Sequence, residues 1–221
     1  VNQAQIKPEI GLTFASGLRS ILRQDPNIIM VGEIRDRETA ELVIHASLTG
    51  HLIFSTLHTN DVFGIVPRLI DMGVEPFLLS AVLNLGIAQR LARKICVHCK
   101  QPHEVAPETL EKVRKELAAI PKKFAAAALD PNATLTFYRG AGCARCGNSG
   151  YAGRTACAEL FRFTLQAKRL VEKGFPTDEG RAEAARQEML TLRQDVLLKA
   201  LDGITTLEEV LRVGQETAEG D

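Results

Sequence analysis

The sequence has no tryptophan and only two tyrosines, and aromatic residues make up 5% of its 221 positions. Proteins that hold single-stranded nucleic acid stack bases on exposed aromatics inside a basic groove. This chain also lacks the charge for that role, because Lys+Arg and Asp+Glu number 27 each and the formal net charge is zero. Nucleic acid is demoted as a partner, and a helicase-type motor with it. Long apolar runs are missing too. The longest mostly apolar window, Phe77 to Ala88, is too short for a bilayer and contains Ser80 and Asn84. No charged-then-apolar leader opens the chain, which starts at Val1, so the expectation is a soluble cytosolic protein. Finally, there is no phosphate cradle: G-x-x-x-x-G-K-[ST] does not occur, and no glycine is followed by lysine.

What is present is a 45% hydrophobic composition, enough for one good core and a small satellite module. Between Leu12 and Gln24 apolar residues recur at Phe14, Leu18, Ile21 and Leu22, the spacing of a helix that Asp25-Pro26 stops. An apolar strand from Ile28 to Glu33 follows. Asp36 is placed to cap a second helix with Ala40, Val43, Ile44 and Leu48 on its buried face and Gly50 at its end. A second strand runs from His51 to Leu57. Two strands joined by one helix form a βαβ unit, so the fold class is α/β with a parallel sheet flanked by helices. Further helices are expected from Asn60 or Asp61 to Gly73 and from Pro76 towards Gln89. The composition changes at Cys96, after which Pro107 to Ile120 reads as a helix ended by Pro121, and an Ala-rich piece follows. Arg154 to Phe163 reads as a returning strand. The remainder is helical, with Thr206 and Glu209 as a capping box for the last helix and Gln215 to Asp221 as a frayed tail.

Parallel strands deliver their carboxyl-terminal residues to a common crevice, and here those residues are Glu33 and His58. A carboxylate in that position can orient or deprotonate an attacking water. An imidazole there can donate to a phosphate oxygen. The same pattern also arises where ordinary strands meet loops. Around His58 the run Ser55, Thr56, Thr59 and Asn60 is polar, which favours a functional reading. Gly32, Thr56 and His51 complete the candidate nucleotide-binding residues, although His51 opens its strand at the far end. Cys96-x-x-Cys99 and Cys143-x-x-Cys146 offer four soft thiolates, the ligand set of one tetrahedral zinc. A redox dithiol or two unrelated turns remain the alternatives. His98 and His103 could substitute as ligands, and Cys157 is left over as a small packed residue.

The segments Gly11-Leu12-Thr13-Phe14 through Asp36, Thr49 through Asp61, Gln89-Arg90-Leu91 and the four cysteines together resemble the secretion ATPase superfamily, in particular the type II secretion and type IV pilus assembly ATPases. The runs IMVGEIRD and TGHLIFSTLHTND carry the likeness. It implies a RecA-like fold, a partial P-loop NTPase core carrying a tetracysteine zinc module and a helical C-terminus. Residues 1–95 would be the later part of that core, 96–146 the zinc module and 147–221 a returning strand with terminal helices. Glu33 would be the Walker B glutamate and His58 the main residue of the histidine box. Many phosphate-loop ATPases have Asp just before the catalytic Glu, where this chain has Gly32, so metal contacts would come from elsewhere. Arg19, Arg23, Arg35 and Arg68 match arginines used at subunit interfaces, with a solvated face as the plainer reading. The implied cofactors are ATP, Mg2+ and Zn2+. The implied partners are five further copies in a homo-hexamer and the inner-membrane platform and cytoplasmic-linker proteins of a secretion or pilus system, at the cytoplasmic side of the inner membrane. Relative to that family the sequence lacks the amino-terminal domain, its arginine cluster, the Walker A loop and the acidic box after it, which reads as a carboxyl-terminal part whose upstream half lies elsewhere. On its own such a part would be inactive, and the rival reading is a non-catalytic zinc-containing interaction module.

Overall fold

The computed structural model describes residues 2–125 and 134–218. In chain order the first elements are α1 (Phe14–Ile21), β1 (Ile28–Val31), α2 (Arg37–Leu48), β2 (Leu52–Ser55), α3 (Ile65–Asp71) and α4 (Pro76–Val82). There follow β3 (Leu85–Ile95), β4 (Lys100–His103), α5 (Pro107–Ala118), α6 (Lys122–Ala125), β5 (Phe137–Gly140) and β6 (Tyr151–Arg162). Four helices close the series: α7 (Leu165–Glu172), α8 (Thr177–Arg186), α9 (Leu192–Leu201) and α10 (Leu207–Ala218). The elements gather into two compact units that interleave along the chain. Unit 1 comprises Val1–Thr59, Phe63–Gly86 and Arg162–Glu183, and unit 2 comprises Asn60–Val62, Ile87–Phe161 and Ala184–Asp221.

In unit 1, α1 starts at a reciprocal capping box between Thr13 and Ser16. The chain then turns through Asp25 in the left-handed region and enters β1. Asp36 caps α2 as its sequence position suggests, its Oδ1 accepting from the Thr39 amide at 2.8 Å. Gly50, at φ 98°, ends that helix and lets the His51 amide reach back to the Ala46 carbonyl. β1 and β2 pair in parallel from Ile28 opposite Leu52 to Val31 opposite Ser55, the arrangement a βαβ unit requires. α1 packs on α2, α2 on α4 and α4 on α7. Each fully buried Leu, Ile or Val in these interfaces, such as Leu18, Ile44 and Leu79, stabilises the unit by roughly 2 kcal/mol.

Several expectations need correction here. Leu48 is exposed, because burial of Thr39 and Ala46 centres the inner stripe of α2 on the Val43 side. The helix expected from Asn60 or Asp61 begins only at Ile65. The helix from Pro76 stops at Val82, and from Leu85 the residues alternate outward and inward with Gly86 and Ala88 turned in, so the stretch towards Gln89 is strand. Gly86 is a poor helix former and favours that switch.

In unit 2, β3 pairs with β6, and β4 pairs antiparallel with β5 from Lys100 opposite Gly140 to His103 opposite Phe137. α9 and α10 pack together, and α10 is helical through Ala218, beyond the Gln215 where a frayed tail was expected. The last three residues of that tail, and all but the first residue of the Ala-rich piece after Pro121, lie outside the described residues. Glu209 does not close the expected capping box. Its amide approaches Thr206 Oγ1 at 3.4 Å, but its carboxylate is wholly buried against Arg93 and Arg212. Among the described residues no helix is long and apolar enough to cross a membrane.

Candidate functional site

Glu33 and His58 meet. The parallel pairing continues past the strands proper, with the Ile34 amide donating to the Thr56 carbonyl at 3.0 Å and Thr56 Oγ1 donating to the Gly32 carbonyl at 2.7 Å. This locks the two strand ends side by side, and His58 Nε2 lies 3.0 Å from Glu33 Oε2. The other oxygen, Oε1, pairs with Arg35 Nη2 at 2.5 Å. The Arg35 hydrogen bond is the largest influence on Glu33 and holds its carboxyl below the usual range, with His58 adding to it and partial burial opposing it. Glu33 is therefore a carboxylate at neutral pH, fixed from both sides. Gly32 is not required by crowding, since a Cβ there would meet the Phe14 ring at an ordinary 3.6 Å.

The other sequence candidates fall elsewhere. His51 Nδ1 lies 2.9 Å from the Ala46 carbonyl and 3.2 Å from Thr49 Oγ1, at the end of α2 and the opposite end of β2 from His58. Arg19 pairs with Glu38 at 2.6 Å, whereas Arg23 and Arg68 are exposed.

A second site lies in unit 2. The sulfurs of Cys96, Cys99, Cys143 and Cys146 all fall within 4.8 Å of one another. Three of the separations are 3.9, 3.9 and 3.7 Å. Four sulfurs about 2.3 Å from one tetrahedral ion stand roughly 3.8 Å apart, so the donor set and its spacing fit zinc. Each Cys-x-x-Cys segment is a tight turn, with the Cys99 amide on the Cys96 carbonyl at 3.2 Å and the Cys146 amide on the Cys143 carbonyl at 3.1 Å. The turns are tied to each other's flanks by Cys96 N to Gly150 O and Ala141 N to Cys99 O, both 2.9 Å. Burial opposes ionisation of Cys146, but the amides of Cys143 and Gly150, at 3.2 and 3.3 Å from its sulfur, together with the thiols of Cys143 and Cys99, outweigh this and bring it down to about 6, while burial pushes Cys99 up to about 12. Four thiolates this close repel one another unless a cation lies between them. The long spacer between the pairs is closed by β4 and β5, which begin and end beside the turns. Gly140 lies so close to Gly150 that a Cβ on Gly140 would lie 2.0 Å from the Gly150 carbonyl oxygen. His98 faces Arg145 at 3.0 and 3.3 Å, and His103 belongs to β4, outside the sulfur group. Cys157 is fully buried, as a small packed residue should be.

Three buried carboxylates, Glu159, Glu183 and Glu209, were not anticipated as such. Glu209 was assigned to a cap. Glu159 drew no notice, although it lies in phase with the inward-facing Cys157 and Phe161 of β6, and an acid on the buried phase of a strand is the signal that could have revealed it.

Residues 1–212 match the family model described as Type II/IV secretion system protein. The chain is 49% identical over 211 residues to the type IV pilus assembly ATPase PilB of Myxococcus xanthus, covering 96% of this chain and 35% of that protein. It is 44% identical over 216 residues to the type II secretion system protein E of Pseudomonas aeruginosa, covering 98% of this chain and 40% of that one. It thus spans well under half the length of these relatives. Among solved structures, the pilus retraction motor PilT with bound ADP matches 91% of this chain and 43% of its own, with a TM-score of 0.58 and 25% identity. The Legionella pneumophila ATPase DotB, at 21% identity and a TM-score of 0.61 over 96% of this chain and 45% of its own, shares the fold. With a family model spanning residues 1–212, the chain belongs to the Type II/IV secretion system protein family.

Proposed function

We propose that this chain is the Glu33- and His58-bearing part of a motor that hydrolyses ATP to drive pilin or pseudopilin assembly. One observation carries the reading: a carboxylate and an imidazole from neighbouring parallel strands stand 3.0 Å apart at the carboxyl-terminal edge of the sheet. Glu33 is ionised and held on both oxygens, as a group that orients or deprotonates the water attacking a terminal phosphate has to be. His58, four-fifths exposed, can turn a ring N–H to a phosphate oxygen. Gly32 and Thr56 line the same strand ends. Magnesium supplies charge neutralisation on the phosphates when nucleotide is bound. The phosphate loop is not within these 221 residues, and the reading assigns it to the part of the protein that corresponds to the remaining length of the relatives.

Residues 1–95 act in this proposal as the later part of the RecA-like core, 96–146 as a zinc module and 147–221 as its helical completion. A zinc ion held by Cys96, Cys99, Cys143 and Cys146 cross-links two loops and has no chemical step. The working assembly is a homo-hexamer, peripheral at the cytoplasmic side of the inner membrane through a platform protein, with Arg23 and Arg68 available to a neighbouring subunit. Steady-state phosphate release by the protein containing its upstream region tests the reading. Glu33→Gln should lower turnover at least about a hundredfold while nucleotide affinity survives, since Gln keeps the shape and loses the charge and the base. His58→Ala should lower it less. Near-normal turnover in Glu33→Gln would remove Glu33 from the chemistry.

A further inference from the structure

Each Cys-x-x-Cys turn fixes its own two sulfurs through local bonds, but a tetrahedral site also needs the two turns held at one spacing. Two pairs that span the turns, Cys96 with Cys143 and Cys99 with Cys146, are both 3.9 Å apart. Besides the bonds that join the turns directly, a further segment of the same compact unit touches the flanks of both: the connection from α9 to α10, residues 203–206. At the first turn, the Ile95 amide, immediately before Cys96, donates to the Ile204 carbonyl at 2.9 Å, and Thr205 Oγ1 donates to the Arg93 carbonyl at 2.7 Å. Lys100, immediately after Cys99, lays its ammonium 4.2 Å over the Tyr138 ring and against Gly203, just past the end of α9, where helix carbonyls favour a cation. At the second turn, Tyr138 precedes Cys143 on β5 and also borders Gly203. Tyr151, next to the Gly150 whose carbonyl accepts from the Cys96 amide, has its hydroxyl 3.0 Å from Thr206 Oγ1. Gly203 is at φ 65°, and a Cβ on it would collide with Lys100 Nζ and lie 2.7 Å from Tyr138 Cδ2. Thr205 is fully buried.

We propose that the α9–α10 connection is the outer support of the four-cysteine site, with Gly203 and Thr205 as positioning residues that set how tightly the site holds its metal. This rests on the zinc reading of the cysteines and is independent of the ATPase reading. Four sulfurs bind an ion tightly when they already stand near the tetrahedral spacing, because any rearrangement on binding is subtracted from the affinity. Residues 203–206 brace the strand that enters Cys96, the residue that leaves Cys99, and the strands on either side of the second turn. A displacement at Gly203, or a broken bond at Thr205, therefore passes to the spacing between the turns, while the bonds within each turn and the four sulfur donors stay as they are. By reciprocity, an ion in the site steadies the connection between the two helices.

The test uses the 221-residue chain and two readouts: zinc affinity in competition with a chelator, and the visible absorption of Co2+ placed in the site, which reports how nearly tetrahedral the four sulfurs stand. Gly203→Ala pushes Lys100 and Tyr138 away, and Thr205→Val keeps the shape of the side chain but loses the bond to the Arg93 carbonyl. Both should weaken zinc at least about tenfold and change the Co2+ spectrum. Two controls separate positioning from a general loss of stability. Gly153→Ala, on β6 at φ 74° with nothing within 4 Å of its Cβ, brings similar backbone strain to the same unit without a collision, and should leave affinity and spectrum unchanged. Thr205→Ser retains the hydroxyl and should bind zinc as the wild type does. If Gly203→Ala does not fold, Thr205→Val and its serine counterpart decide. Zinc affinity within about threefold of wild type in the folded variants overturns the proposal, since supporting groups of a metal site are worth tenfold or more. So does a weakening that Gly153→Ala shares, or one with an unchanged Co2+ spectrum. A wild type that takes up no zinc fails differently, because it removes the zinc reading itself and the proposal with it.

Discussion

Replacing Glu209 by Gln tests how much of the stability of unit 2 rests on one buried acid. Its carboxylate is wholly inaccessible and accepts five contacts: the Arg93 amide at 2.7 Å, Arg93 Nε at 3.0 Å and Nη2 at 2.8 Å, and Arg212 Nε at 3.0 Å and Nη2 at 2.7 Å. Arg93 in turn lies over the Tyr151 ring at 4.1 Å, and Arg212 reaches the Leu91 carbonyl at 2.7 Å, so the cluster fastens α10 to β3. Burial would push the acid up, but the bonds from Arg212 and Arg93 outweigh it and bring its pKa down from 4.5 to about 2. At about 1.4 kcal/mol per tenfold, that corresponds to roughly 3 kcal/mol of preference for the charged form in the folded chain. Breaking a buried pair from one side costs about 3–5 kcal/mol. The guanidinium groups here are 50% and 38% exposed and can recover some hydration, so about 2–3 kcal/mol is expected. Because the folded pKa is depressed, the contribution is complete above about pH 5 and fades as the pH falls towards 2. Urea titration followed by tyrosine fluorescence suits the measurement, as there is no tryptophan and both tyrosines, Tyr138 and Tyr151, belong to unit 2. Glu209→Gln should lower the midpoint by about 1–2 M at pH 7. The gap between the two proteins should narrow below pH 5 when both are kept under the same zinc conditions. A loss under about 1 kcal/mol, or a gap indifferent to pH, would refute the reasoning.

The zinc module should bind about one zinc per chain, measured by elemental analysis, and chelation should lower its unfolding midpoint because thiolate ligation contributes to folding. Metal-free, fully folded protein with four reactive thiols would contradict this. Gly140→Ala should weaken zinc binding at least about tenfold in competition with a chelator, because its Cβ would collide with the Gly150 carbonyl oxygen and part the two loops that carry the ligands. Asp36→Ala should destabilise unit 1 by about 1 kcal/mol in thermal or urea unfolding through loss of the α2 cap, with zinc content unchanged.

The elements that were legible in the sequence are those fixed by local chemistry. Asp36 and Gly50 bracket α2 because capping and a left-handed terminus are matters of a few adjacent residues. The four cysteines were legible for a similar reason, being identical soft ligands in two short turns. What closes their site was not, because the β4–β5 register depends on residues forty positions apart. The apolar window from Phe77 to Ala88 misled for a different reason. Periodicity over so short a run suits a helix and a strand equally, and the one residue that favours the switch, Gly86, lies two positions past the break at Leu83 and Asn84. The acids at 159 and 209 were missed or misassigned because their partners, at Val62, Leu192, Arg93 and Arg212, include residues more than thirty positions away.

At the Glu33 site the strand ends were legible and the arginine was not, although the sequence held a cue. In extended backbone residues i and i+2 lie on one side, so Arg35 shares a side with Glu33 and can turn back onto it, as it does. This changes how the carboxylate can act. Each oxygen already has a partner, Arg35 on Oε1 and His58 on Oε2, yet an ionised carboxylate offers about four lone-pair sites. One site on each oxygen is left for a water, so the acid can be held ionised and aimed while still accepting a proton donor. The same arrangement sets a limit on its basicity, since a cation at 2.5 Å lowers the affinity for a proton. On the proposed reading, Glu33 with Arg35 in place would orient water better than it would deprotonate it, and removing that cation should raise the Glu33 pKa.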